Sequence, residues 1–435
     1  MTLAAGDQPL PPVPDPALAE PVAPDGPTEK VSNTYIWLLV AAQFGVFVAF
    51  ITPIAISLAI RVGQLAPGHE EYLGYITGTG AVVPLLTGPL LGVLSDRTRS
   101  RLGRRRPWMI AGTVVGVISL LAMALAPSIG MLGLGWVLAQ LGWGTALGNL
   151  GNSTADRLPE NQRGKVAGLS GFAMQIGPAL GVALSGSLAG NNVLLFLAPG
   201  LVGALFVALF VIFVAERDSR ALDFGAPLSG KSLAAKYVFD PRRFPDFSWN
   251  WLGRFLFYLG LTFNTTFTAF FFAARLHTTV DKVAALIAAA GGLGILATAA
   301  GAIGGGFLSD RLHRRRPFVL AGGTVFGVGA ILMAVAPTTP LLFIGALTCS
   351  LGIGAFAAVD QALLLDVLPE RQTDAGRYMG ITGFATSIPQ AAGPFIAPLF
   401  LAVGGGAKNY TLLYIVAAAC TVLGGLVVLR IRSVK

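Results

Sequence analysis

Long apolar runs separated by short polar connectors constrain this chain more than any motif. Twelve runs reach membrane-crossing length, which takes about 20 apolar residues. They lie at Ile36–Ile60, Tyr72–Leu94, Trp108–Ala126, Met131–Ala155, Val166–Leu188, Val193–Ala215, Phe247–Ala274, Val283–Leu308, Phe318–Ala336, Leu341–Leu365, Tyr378–Val403 and Tyr410–Leu429. A spanning segment must satisfy its own main-chain hydrogen bonds, so unbroken apolar runs of this length are read as helices. The expectation is an all-α membrane protein of twelve transmembrane helices. Composition agrees: 54% of the 435 residues are hydrophobic and 12% charged, where soluble domains carry roughly 25% charged residues. The net charge of +9 sits in connectors rather than on the face of a folded domain, which argues against nucleic acid as a partner.

The bases set the orientation. Of 30 lysines and arginines, 25 fall on the termini and the even-numbered connectors, four (Arg61, Arg275, Lys282, Lys408) on the other side, and Arg254 within a run. By the positive-inside rule both termini and the arginine-rich loops are cytoplasmic. The first 30 residues are proline-rich and acidic, and read as a disordered cytoplasmic tail rather than a cleaved leader. Cys349 and Cys420 lie inside runs and the three histidines in separate connectors, so neither a disulfide framework nor a metal site is expected. HExxH and GxSxG are missing from the sequence. No enzyme activity, ATP-driven pumping or cofactor is expected.

An internal repeat organises the runs. At an offset of 210 residues, Arg104-Arg105-Arg106-Pro107 meets Arg314-Arg315-Arg316-Pro317, Met123 meets Met333, Gly142 meets Gly352, and "DRLPE" at 156–160 meets "DVLPE" at 366–370. The offset becomes 214 for Asp96-Arg97 against Asp310-Arg311. Six spans followed by six in the same orientation imply two six-helix bundles, with a substrate site near the midplane between them and access that alternates as they rock. The expected units are a tail (1–30), an N-terminal bundle (31–215), a cytoplasmic linker (216–246) and a C-terminal bundle (247–435).

The stretch "GVLSDRTRSRLGRRRP" (92–107), together with the paired "DxLPE" after the fourth and tenth runs, resembles the major facilitator superfamily. "PLLGVLSDRTRSRLGRRRP" (89–107), "QFG" (43–45) and Thr52-Pro53 resemble more narrowly the sucrose–proton symporters and the related glycoside–pentoside–hexuronide group. Departures are visible. That narrower family has charged residues in its fourth and fifth helices, where this chain has Gln140, Asn149, Asn152 and Gln175. Leu138 stands where the superfamily's drug antiporters have an arginine, and the "GPALG" at 177–181 is read as helix packing before an antiport marker. The resemblance implies a gating latch in which Asp96 and Asp310 accept from Arg97, Arg104, Arg311 and Arg314, with Asp156 and Asp366 of the paired acidic motif beside them. The competing reading is topological: the arginines hold the loops in the cytoplasm and the aspartates offset charge.

Ionisable residues inside spans are functional candidates by default. Arg254 and Asp360 are the two here. Each lies roughly 10 Å from the same membrane boundary at ~1.5 Å per residue, and opposite charges at one depth imply a pair. Arg254, Tyr258, Thr262 and Thr265 form a polar stripe at helical spacing. Asp360 is the candidate proton-coupling acid, since an opposite charge alongside favours an ionised carboxylate and its loss favours the protonated form. A static buried pair is the alternative. Gln43, Gln140, Asn149, Asn264, Gln361 and Gln390 offer amides for a neutral polar cargo and Trp143 an apolar face, although each amide also serves as interhelical glue. The reading is a monomeric secondary transporter of the cell (inner) membrane. Its partners are the bilayer, a small organic solute such as a sugar or glycoside, and a proton. A proton-driven exporter of drugs or metabolites is the alternative.

Overall fold

The computed structural model describes residues 30–220, 240–369, 375–404 and 408–434. The expected tail, apart from its last residue, and the middle of the expected linker lie outside these. Among these residues twelve helices follow in order: α1 Asn33–Leu65, α2 Glu71–Asp96, α3 Arg106–Ala124, α4 Ile129–Arg157, α5 Glu160–Ser187, α6 Asn192–Phe213, α7 Pro245–Thr266, α8 Val280–Leu312, α9 Arg316–Val335, α10 Thr339–Val367, α11 Ala375–Leu401 and α12 Tyr410–Val428. Among the described residues no strand forms. Nine of the described helices, or eleven if each bent pair is one span, are long and apolar enough to cross a membrane. The remaining one, α4, has 29 residues, a length of about 43 Å. Its glycines and its amides Gln140, Asn149 and Asn152 dilute its apolar character.

Local chemistry fixes where the helices start. Ser32 accepts from Tyr35 N, Ser128 from Met131 N, Asn191 from Val193 N and Leu194 N, and Asn409 from Leu412 N. These side chains satisfy donors that lack a partner in the first turn. The proline closing each arginine run, Pro107 and Pro317, falls in the first turn of α3 and α9, where a missing N–H forfeits no helical bond. Both halves interrupt their first helix. In α1 a π-helical segment spans Pro53–Ser57, and Thr52 turns its hydroxyl back to Val48 O. After Thr266 the chain bends by 52° into a short extension of α7, Thr268–Arg275.

Packing repeats with a period of six helices. In the first half α1 packs on α4, α5 and α6, α3 on α4 and α6, and α2 on α4; in the second α7 packs on α10, α11 and α12, α9 on α10 and α12, and α8 on α10. The main contacts between halves are also a symmetric pair, α2 against α11 and α5 against α8. Gly177 faces Phe44 and Phe47 of α1, so "GPALG" serves packing within the first half.

The seams between halves are closed at one end only. Gly74 of α2 abuts the carbonyl of Pro394, and a Cβ on Gly78 would come within 2.7 Å of the Phe395 ring. Pro398, four residues after Pro394 in α11, has no N–H, so the Pro394 carbonyl lacks its helical donor. Across the other seam a Cβ on Gly186 would lie 2.5 Å from Ala284. Farther along the same helices, a Cβ on Gly88 or Gly92 of α2, on Gly164 or Gly168 of α5, or on Gly383 of α11 would meet nothing within 4 Å. The molecule is therefore open between its halves at the end that carries the arginine loops and shut at the opposite end.

Candidate functional site

Arg254 of α7 and Asp360 of α10 meet. Arg254 Nε donates to Asp360 Oδ2 at 2.6 Å, and the two side chains are 11% and 1% exposed. Asn250, one turn earlier on α7, donates from Nδ2 to Asp360 Oδ1 at 3.0 Å, and Arg254 Nη2 donates to the exposed Gln361 at 3.0 Å. Phe257 and Phe356 stack at 3.5 Å beside this group, which fixes the spacing of α7 and α10. A buried ion pair is held only where geometry and extra hydrogen bonds compensate desolvation. Here both carboxylate oxygens have partners. Asn250 was not foreseen; its spacing of four residues from Arg254 was the available signal.

The rest of the polar stripe is quieter. Tyr258 is half-buried, Thr262 donates to Tyr258 O and Thr265 to Leu261 O. Both threonine hydroxyls are thus satisfied by their own helix. Gln43 of α1, Gln140 of α4 and Asn264 of α7 are buried. Among the described residues Gln43 Oε1 and Asn264 Nδ2 are buried without a hydrogen-bond partner. Gln390 is exposed. Trp143 was expected to offer an apolar face to cargo, but it is fully buried against the positions of Gly116 and Gly203. Its place is inside the first half, between α3, α4 and α6.

Asn149 belongs to a different group. It accepts from Ser95 at 2.5 Å and donates to Thr145 O, and Ser95 accepts from Arg105 Nη1 at 2.8 Å. Arg105 also bonds Asp96 at 2.5 Å and Asp156 at 2.9 Å. Arg104 pairs with Asp156 at 2.8 Å. In the second half Arg315 joins Asp310 at 3.3 Å and Asp366 at 2.5 Å. One arginine per half therefore clamps the end of α2 to that of α4, or of α8 to that of α10. The third arginine caps a helix C-terminus: Arg106 donates to Val211 O of α6, and Arg316 to Leu429 O and Ile431 O at the end of α12. Such bonds serve the end carbonyls that a helix leaves unpaired.

The central donors are Arg105 and Arg315; of the expected ones Arg104 pairs with Asp156, and among the described residues Arg311 and Arg314 form no ion pair. Gly103, with φ +86°, turns the first loop so that Arg105, rather than a neighbour, faces both aspartates. Glu216, after α6, accepts from Arg105 N and Arg106 N, and so places a carboxylate at the positive end of α3. Each described clamp lies within one half. Among the described residues no group of three or more histidine, cysteine, aspartate or glutamate side chains is placed to hold a metal.

Comparisons with known proteins agree with this architecture. A stretch of 99 residues is 34% identical to a general alpha-glucoside permease of Schizosaccharomyces pombe, covering 23% of this chain and 16% of the permease. Another of 54 residues is 41% identical to an uncharacterised symporter, sll1374, of Synechocystis sp., covering 12% of this chain and 10% of that protein. This chain thus matches well under a fifth of the length of either relative. Among solved structures, the nucleoside transporter NupG superposes with a TM-score of 0.71 at 12% identity, covering 92% of this chain and 98% of that one. A D-xylose–proton symporter superposes with a TM-score of 0.68 at 15% identity, with the same 92% and 98% coverage. At these identities the likeness is one of fold. The sequence profile of the major facilitator superfamily matches residues 34–305 and 276–435, nearly the whole chain. This multi-pass membrane protein therefore belongs to the major facilitator superfamily of transporters.

Proposed function

We propose that this protein is a secondary active transporter that moves a small neutral polar solute, a sugar or glycoside, by alternating access coupled to protons. The observation that carries this reading is the Arg254–Asp360 pair, held inside a span with Asn250 and Gln361 around it. An acid kept in a span beside one base serves a proton cycle: protonation of Asp360 removes its charge and frees the guanidinium, and loss of the proton restores the pair. The vacant amide groups of Gln43 and Asn264 suit hydroxyl groups, which both donate and accept. The permease and symporter among the relatives support the same class.

In this reading the arginine-loop end is cytoplasmic, as are both termini, and the conformation described here faces the cytoplasm. Residues 31–215 and 247–435 act as the two rocking halves, joined by the 216–246 linker, in a monomer of the cell membrane. The clamps at Arg105 and Arg315 keep each half rigid at its cytoplasmic end. Uptake of a labelled disaccharide into proteoliposomes, with and without an inward proton gradient, tests the reading. Gradient-driven accumulation is expected, and it should disappear in Asp360→Asn. Dye efflux without disaccharide uptake would replace this reading by that of an exporter.

A further inference from the structure

At the outer end the two halves line a half-open cavity of about 530 Å³. Gln64 and Glu70 border it from the first half, and Phe270 and Asp281 from the second. Beside it, Lys408, in the connector before α12, bonds Glu71 at the start of α2 at 2.5 Å. This ion pair bridges the halves next to the Gly74–Pro394 contact. His69 Nδ1 lies 2.9 Å from the other oxygen of Glu71. Lys408 and His69 are thus both directed at Glu71. The adjacent Glu70 has a buried Oε2 with no hydrogen-bond partner among the described residues.

We propose that Glu70 is a proton-binding site of the outer gate, taking up a proton as the gate closes over it and releasing the proton as the gate opens. The proposal rests on the alternating access put forward above. A carboxylate oxygen shut away from water without a donor disfavours the ionised form. Burial pushes the Glu70 carboxyl up to about 7; the charge of Lys408 acts against this and that of Glu71 adds to it. The other charged groups nearby do not serve Glu70. Asp281 borders the same cavity and carries the same sign, Arg61 is directed at Gln64 and Ala126 O, and Arg275 at Thr411 and the Phe271 ring.

The sign follows from linkage. An open gate hydrates Glu70 and returns it to the ordinary glutamate value of about 4.3. Between about 4.3 and 7 the closed gate therefore binds the proton that the open gate lets go. Lowering the pH through this window shifts the population toward closure, and raising it favours opening. Such a site gives the outer gate a proton response separate from that of Asp360.

The test is a distance measurement on the full-length protein in lipid nanodiscs. Spin labels on Gly130→Cys and Pro340→Cys, at exposed outer ends of α4 and α10, report the outer gate between pH 5 and pH 9 without substrate. The expected result is a short distance at pH 5 and a long-distance population that grows up to about pH 7 and levels off above it. Glu70→Gln should stay short throughout, and His69→Gln should keep the wild-type response. A pH response that persists in Glu70→Gln, or vanishes in His69→Gln, overturns the site. A gate that opens in Lys408→Ala yet ignores pH in the wild type overturns the site and leaves alternating access standing. A distance that stays fixed in every variant and at every pH overturns both.

Discussion

Asp360 has both of its oxygens engaged, one by Arg254 and one by Asn250. Removing the base alone strands a buried carboxylate, so Arg254→Gln should lower stability by about 3–5 kcal/mol, read as a drop in the unfolding midpoint in detergent. The double variant Arg254→Gln with Asp360→Asn should recover most of that stability and still fail to respond to a proton gradient. If the double variant is no more stable than the single, the pair is not what holds α7 to α10. This pair was legible in the sequence because charge inside an apolar run is rare enough to stand out. Asn250 was not, because an amide in a span has many uses and its four-residue spacing from Arg254 is a faint signal beside a charge. Nor could the sequence rank Arg104, Arg105 and Arg106: three identical side chains in a row are told apart only by the loop conformation that Gly103 sets.

The clamps act at the scale of elements. Arg105 holds α2 to α4 through Asp96, Asp156 and Ser95, and Arg315 holds α8 to α10 through Asp310 and Asp366. Arg105→Ala, which strips the buried Ser95 and the half-buried Asp156 of a donor, should lower stability by about 1.5–3 kcal/mol, and Arg315→Ala, whose partners are more exposed, by about 1 kcal/mol or less. Arg311→Ala, which forfeits no described ion pair, should be close to neutral in the same unfolding assay. Helix–helix seams make a second test. Gly74 abuts the main-chain carbonyl of Pro394, which cannot swing aside as a side chain can. Gly74→Ala should keep the outer gate from closing and slow transport roughly tenfold, about 1.4 kcal/mol, while solute still binds from outside. Transport at the wild-type rate would mean that α2 and α11 need not meet. The helices themselves were predictable from apolar length. The break in α1 was only hinted at by Thr52-Pro53, and the bend after Thr266 had no proline to announce it.

The whole molecule repeats its first six helices in its last six, down to the pairs that join the halves, α2 with α11 and α5 with α8. The repeat at an offset of 210 residues foretold the pairing of motifs, but apolar runs do not reveal which faces meet, so the open and closed ends were not legible. The openness can be checked directly. Gly88→Cys and Gly168→Cys should react with an impermeant thiol reagent applied from the arginine-loop side. Gly78→Cys, covered by Phe395, should be protected. Equal reactivity of all three would contradict the one-ended opening.

The outer seam at Gly74 and Pro394 is a meeting of two main chains, a glycine Cα against a carbonyl that Pro398 has left without its donor. Such Cα–H···O contacts are individually weak, about 0.5–1 kcal/mol. They also freeze no rotamers, whereas a long side chain loses up to ~2 kcal/mol of conformational freedom when it is immobilised. The joint can therefore be made and broken with little enthalpy to regain and little entropy to surrender. In the alternating access proposed above, a joint that opens and shuts once per turnover requires reversibility of this kind.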